Sequence, residues 1–272
     1  MSIKIIFSDI DGTLLNDERQ VSEYTIEQVK KIKNQLPFIL VSARMPKQMY
    51  YIQERLDILN EPLIAYNGAL VKHKQEVLHS VEIPLSIIET LIQYNEQKAD
   101  NQVHISLYNA DDWYAPSYDF WAKREEHNTQ TSPEILSNKE VLNKWYNEGK
   151  GAHKVMLMGE VSYIEPMFAY LNEKLNTNTH IYRAKETYIE VADIQVSKLT
   201  GVKMILDKIY PFSLSEVMAF GDNFNDIEML KNVGHGVAVA NAHTSVKAVC
   251  KAITKHHKEE GVADYISTYF KK

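Results

Sequence analysis

Cysteine is almost missing from this sequence. Cys250 stands alone among 272 residues, so no disulfide can form within the chain, and a reducing compartment is the expectation. Glycine and proline are sparse as well, at 10 and 8, which excludes a linker-rich or low-complexity chain. No apolar run approaches the roughly 18 residues that a membrane-spanning helix requires. The first residues lack a basic stretch followed by an apolar core and a cleavage site. A cytoplasmic location with no membrane partner is therefore expected. Positive charge is not in excess either. Thirty Lys and Arg against 36 Asp and Glu leave a net charge of −6, which argues against nucleic acid as the partner.

What is present is an ordinary globular composition, 44% hydrophobic and 24% charged, with length for one large domain or two modest ones. The first part alternates short apolar runs with helical periodicity. Residues 3–7 (IKIIF), 38–41 (FILV) and 63–65 (LIA) read as strands covered on both faces. Between them, Ser22 can cap a helix carrying Ile26, Val29 and Ile32. Pro46 suits the first turn of another helix, with Met49, Ile52, Leu56 and Leu59 on one face. Such β-α-β-α-β order implies a parallel sheet. From about residue 82 aromatic and polar residues thicken, and the pattern becomes strand pairs with intervening helices. The alternating texture returns near Leu199 with VMAF (217–220), VAVA (237–240) and a closing helix that carries Cys250 on its core side. The expected fold is thus α/β, a doubly wound Rossmann-like parallel sheet formed by residues 1–82 and 190–272. An α+β domain, 83–189, is inserted in it.

Three strand ends share one arrangement, namely IIF-SDIDGT, FILV-SAR-MP and VMAF-GDNFND. In an open parallel sheet all strand C-termini lie along one edge, where ligands bind. Asp9, Asp11, Ser42, Asp222, Asn225 and Asp226 should therefore converge. Carboxylates gathered in one cleft repel unless a cation sits among them, and an oxygen-only donor set points to Mg²⁺ rather than zinc. Ser42, Ala43 and Arg44 precede a helix start, where backbone N–H groups make an anion site. Metal, anion pocket and carboxylates together point to phosphoryl transfer. Asp9 would be the nucleophile, and Asp11 the acid that protonates the leaving oxygen and then the base for water. Lys198 is the best-placed cation to balance phosphoryl charge.

With DIDGT, SAR, Lys198 and GDNFND in this order, the chain resembles the haloacid dehalogenase-like superfamily. More closely it resembles the Cof-type phosphatases, whose α/β cap lies between the second and third motifs. The resemblance covers essentially the whole chain. It implies a Mg²⁺-dependent phosphatase acting on a small organic phosphomonoester, of sugar or cofactor type, through an aspartyl-phosphate. Asp9, the Asp11 carbonyl and Asp222 would bind the metal. The Ile10 and Ala43 amides, Ser42, Lys198 and Asn225 would hold the phosphoryl group. Asp226, Thr13 and Arg44 would support them from behind, with Asp226 orienting Lys198 or a metal-bound water. Gly12 shapes the turn, residues 83–189 form a lid, and Asn67 and Gly68 face the same edge as possible substrate contacts. A monomer or weak homodimer is expected.

Two departures from the family pattern stand out. Ala43 replaces a common glycine in the second motif, and Gln195 and Leu199 flank the lysine where relatives often carry glycine. Two rival functions share the residues. A sugar phosphomutase uses the same DxDGT stretch, and a phospho-accepting signalling protein uses an Asp, a Ser or Thr and a Lys on a parallel sheet. The second carboxylate of DID and the insertion disfavour the latter. His256 and His257, among lysines, read as solvated. Trp113, Tyr114, Tyr118, Phe120 and Trp121 read as core or pocket lining.

Overall fold

The computed structural model describes residues 2–98 and 101–271. It divides into two compact units, Met1–His79 with Ser197–Lys272, and Ser80–Val196. The expected limits of the insertion, 83 and 189, fall inside these boundaries. The reason is that strand pairing carries the second unit's sheet to Asp193.

In the first unit β1 (Ile5–Asp9) leads to α1 (Glu23–Ile32), β2 (Phe38–Val41), α2 (Tyr50–Leu56), β3 (Leu63–Ala65), β4 (Leu70–His73) and β5 (Glu76–Ser80). Ser22 caps α1 by accepting from the Thr25 amide, which satisfies one of the otherwise orphan N–H groups of the first turn. Pro46 opens a short 3₁₀ turn rather than the helix itself. That helix ends at Asp57 in the left-handed region, so Leu59 lies past it and is exposed rather than on the core face.

The second unit runs through α3 (Leu85–Glu96), β6 (His104–Asn109), β7 (Asp112–Ala115), α4 (Phe120–Thr129), β8 (Glu134–Ile135), α5 (Asn138–Glu148), β9 (Lys154–Met158), α6 (Val161–Lys174), β10 (Thr179–Lys185) and β11 (Tyr188–Asp193). The described residues form a sheet of order β10-β11-β9-β6-β7-β8. Alternation within its strands sorts the side chains. Ile105, Leu107, Val155, Leu157, Ile189 and Val191 enter a core completed by residues of α3, α5 and α6. Their neighbours His104, Ser106 and Trp113 are buried too, in a polar network. Asp119 accepts from His104 Nδ1 at 2.8 Å, His104 Nε2 and Ser106 Oγ lie 2.9 Å apart, and Trp113 Nε1 donates to Ser106 Oγ. Burial pulls His104 down, while the bond to Asp119 and its charge work to raise it. Of the aromatic stripe, Trp113 and Tyr114 are core, while Tyr118 and Phe120 are exposed.

The chain then returns with α7 (Lys198–Lys208), β12 (Val217–Gly221), α8 (Ile227–Asn232), β13 (His235–Ala238), α9 (Thr244–Lys247), β14 (Ala252–Ile253) and α10 (Gly261–Tyr269). The described strands order as β14-β13-β12-β1-β2-β3-β4-β5. Pairing is parallel from β14 to β3 and antiparallel between β3 and β4. Strand order runs outward from β1 one way through β2 and β3, and outward from β12 the other way. The β1–β12 junction is thus the topological switch point, where ligands bind in open α/β sheets. Cys250 lies beyond α9, half-buried, because the chain leaves the helix to pair β14 with β13. Its thiol is pushed up to about 11 by burial.

Candidate active site

The site grows from the loops that leave β1, β2, β3 and β12 on one edge of the parallel sheet. β1 ends on Asp9, and the Ile10 carbonyl accepts the amides of Thr13, Leu14 and Leu15, which rolls the chain into a tight turn. Gly12 sits in this turn at φ +79°, and a Cβ there would stand 2.7 Å from Asp222 Oδ2. Only glycine meets both demands. Thr13 Oγ1 donates to Asp222 Oδ1 at 2.8 Å, which ties the first strand's loop to the loop after β12. Asn241, one loop further, donates to the Gly12 carbonyl at 2.7 Å and accepts from the His257 amide.

Lys198 is the first residue of α7, behind its cap Ser197. It is 1% exposed, and its ammonium bridges Asp9 Oδ1 at 2.5 Å and Asp226 Oδ1 at 2.6 Å. Burial alone would lower the lysine, but the two carboxylates outweigh it and hold it protonated. Asp226 is wholly buried, and its Oδ2 accepts the amides of Asp222 and Asn223 at 3.0 Å each. This carboxylate is fully occupied in orienting the lysine and closing the loop. Asp9 is raised well above the usual carboxylate range, chiefly by burial and then by Asp226 and Asp222 against the pull of Lys198. Asp222 is raised as well, by burial and then by Asp226, against the pull of Thr13, Lys198 and a hydrogen bond with Asp9.

Oxygens of Asp9, Asp222 and Asp226 lie within 4.8 Å of one another. With all three carboxylates ionised, one ammonium would leave two negative charges in the cluster, which a divalent cation would neutralise. Asp226 has no oxygen to spare, so Asp9 and Asp222 are the carboxylates able to hold a cation. Nearby, Asn225 Nδ2 donates to Asn67 Oδ1 at 2.9 Å, while its buried Oδ1 finds no partner. The hard oxygen set and the orphaned carbonyl fit an oxygen-loving divalent ion and its bound water.

After β2, the Ser42 amide donates to the Ile64 carbonyl, and Ser42 Oγ accepts from the Arg44 amide at 3.2 Å. Its hydroxyl hydrogen is left to donate elsewhere. Ala43 is not among the left-handed residues, so alanine replaces glycine there without strain. The turn after β3 is held against this segment by the Tyr66 amide on the Arg44 carbonyl and the Asn67 amide on the Ser42 carbonyl. Tyr66, Asn67 and Gly68 all have positive φ, at 50°, 57° and 106°. A Cβ on Gly68 would stand 2.1 Å from the Ser197 carbonyl oxygen, so the lysine's loop packs directly on glycine. Leu199 is buried behind that loop.

Asp11 points differently from Asp9. Arg44 grips its carboxylate in a fork, Nε to Oδ2 and Nη2 to Oδ1, both at 2.7 Å, and Arg19 reaches Oδ1 at 3.1 Å. Burial works to raise this carboxyl, but the two guanidiniums prevail and hold it below the usual range. Arg19 has no signal in the sequence beyond a turn. It sits at φ 59° in a loop pinned by Asn16, whose Oδ1 accepts the Glu18 and Gln20 amides. Asn241 was within reach of the strand-end rule, because β13 ends on the same edge. His257 is half-buried and bonded through Nδ1 to the Leu15 carbonyl rather than solvated.

The haloacid dehalogenase-like hydrolase family matches residues 6–266 of this chain. A Haemophilus influenzae protein is 31% identical over 268 residues, 97% of each chain. YitU of Bacillus subtilis, named a 5-amino-6-(5-phospho-D-ribitylamino)uracil phosphatase, is 28% identical over 275 residues, 98% of this chain and 97% of its own. In fold, a haloacid dehalogenase-like hydrolase from Bacteroides thetaiotaomicron superposes with a TM-score of 0.87 at 23% identity. That match covers 99% of this chain and 100% of the other.

Proposed function

The chain belongs to the haloacid dehalogenase-like hydrolases, as a phosphatase of that family, and from there we propose that it hydrolyses a small organic phosphomonoester through an aspartyl-phosphate on Asp9. The observation that carries this reading is the bridged lysine. Lys198 balances charge on Asp9 Oδ1 and makes its bond to that oxygen rather than to Oδ2. Oδ2 attacks phosphorus as the bond to the leaving oxygen breaks, and Asp11, which must first take up a proton against the pull of Arg44 and Arg19, passes it to the leaving oxygen. Water then attacks the phosphoenzyme, Asp11 takes the water's proton, and inorganic phosphate departs with Asp9 restored. Ser42 and Lys198, with the Ile10 and Ala43 amides and Asn225, steady the phosphoryl oxygens. Mg²⁺ held by Asp9, Asp222 and the Asp11 carbonyl would supply charge neutralisation at the transferring group.

We assign the choice of leaving group to the second unit. The relative YitU, through its name, makes a cofactor-type phosphate the first class to try, with sugar phosphates next. The test is a panel of such esters scored by free phosphate, with EDTA and Mg²⁺ arms. Intact mass after rapid quench should show one phosphoryl group, absent in Asp9→Asn. Turnover unaffected by EDTA, or by Asp9→Asn, would refute the reading.

The cytoplasmic expectation rests on composition alone. Among the described residues no helix is long and apolar enough to cross a membrane.

A further inference from the structure

Arg44 is 6% exposed, and each of its side-chain nitrogens is engaged. Beyond the fork on Asp11, its Nη1 donates to the Gln48 carbonyl at 3.3 Å and the Tyr51 hydroxyl at 3.2 Å. Its backbone is pinned as well, by Ser42 Oγ on one side and the Tyr66 amide on the other. The guanidinium is therefore a fixed object. Asp11 is the opposite: its side chain is 43% exposed, and its remaining partner, Arg19, is 49% exposed. A carboxylate in such a place would sample several rotamers. A single hydrogen bond would still let it rotate, whereas two parallel bonds from a rigid fork set its plane and its distance.

We propose that Arg44 is the positioning residue for Asp11. It fixes where the Asp11 carboxylate stands relative to the nucleophile two residues earlier, and Tyr51 and Gln48 hold Arg44 in turn. This inference rests on the reading of Asp11 as the group that exchanges a proton with the leaving oxygen. A lysine cannot replace Arg44, because a point charge attracts the carboxylate without orienting it.

The test is single-turnover release of the leaving group from an alkyl ester, ribose 5-phosphate, and an aryl ester, p-nitrophenyl phosphate. The full-length Mg²⁺-loaded protein is used. An alkoxide needs the proton and a nitrophenolate hardly does. Arg44→Gln and Arg44→Lys should each slow the alkyl ester about 10- to 100-fold, the scale of misplacing a catalytic group. They should leave the aryl ester within about threefold of the parent, since general acid catalysis contributes little there. On an Asp11→Asn background Arg44→Gln should add nothing. Tyr51→Phe, which keeps the fork but loosens its anchor, should show the same alkyl-selective loss on a smaller scale. It stands in if the Arg44 variants fail to fold by circular dichroism. Equal loss on both esters, or an undiminished Arg44→Gln effect on Asp11→Asn, overturns the inference. If Asp11→Asn itself shows no preference between the esters, the reading of Asp11 falls first and takes the inference with it, a distinct outcome.

Discussion

Replacing the nucleophile should stabilise the metal-free protein, or at worst leave it unchanged, while ending catalysis. Asp9 faces two other carboxylates with oxygens no more than 4.8 Å away. At an effective dielectric near 20, each such pair repels by about 3.5 kcal/mol or more. Against this stands the attraction of Lys198 at 2.5 Å, about 6.6 kcal/mol on the same scale. The repulsions and the attraction nearly cancel, and the burial that raises Asp9 remains as an uncompensated cost of its charge. Asp9→Asn removes all of these together and leaves Lys198 still paired with Asp226. In EDTA its melting temperature should match or exceed that of the parent. Mg²⁺ should reverse the order. At 100 times its dissociation constant a bound ion stabilises the parent by about 2.7 kcal/mol, and the variant, with one ligand charge gone, gains far less. Thermal melts followed by circular dichroism in EDTA and in Mg²⁺ make the comparison, with phosphate release measured alongside. A metal-free Asp9→Asn protein destabilised by more than about 2 kcal/mol would show that the cluster is not self-repelling, because only a large net attraction could be lost.

Other outcomes follow from single contacts. Asp11→Asn should slow an alkyl phosphate by about 10²–10⁴-fold while an aryl phosphate still yields a burst of phenol, read by rapid quench. Gly12→Ala forces a left-handed alanine, at about 1–2 kcal/mol, and drives its Cβ toward Asp222 Oδ2. Calorimetric titration should find weakened Mg²⁺ binding in a protein that still folds. Glu216 is pushed down to about 2 by the Ser213 amide, then by Lys4 and the Ser213 hydroxyl. Its folded value lies below its unfolded one, so its contribution is present above the ordinary value of 4.5 and lost as pH falls toward 2. Melts of Glu216→Gln should therefore differ from the parent at pH 6 and converge with it at pH 2.

Local chemistry made much of this protein legible. Runs such as FILV and LIA are too short and too apolar for a surface helix, and they form strands at the residues read for them. Ser22 caps where its hydroxyl can reach an amide three residues on, because that contact lies within one turn. Strand ends followed by Asp, Ser or Asp-Asn-x-Asn-Asp announced an edge of charged and polar groups, since parallel pairing puts all those ends together. Periodicity failed where the chain leaves an element for a reason outside it. α2 ends at a left-handed Asp57 and strands Leu59 in solvent, and Cys250 is drawn off its helix by the pairing of β14. Asp9, Lys198 and Asp226 are each visible in the sequence. That one ammonium bridges two carboxylates across 189 and 28 positions is not. Nor is the fork of Arg44 on Asp11, or the Asn67–Asn225 contact. The sequence by itself determined which residue types stand at the strand ends, because propensity and alternation act over a few neighbours. Only the tertiary structure decided which carboxylate meets a lysine, which meets an arginine and which is left for a cation. Those choices depend on distances between separate loops, and a buried charge is tolerable only beside the partner that packing brings to it.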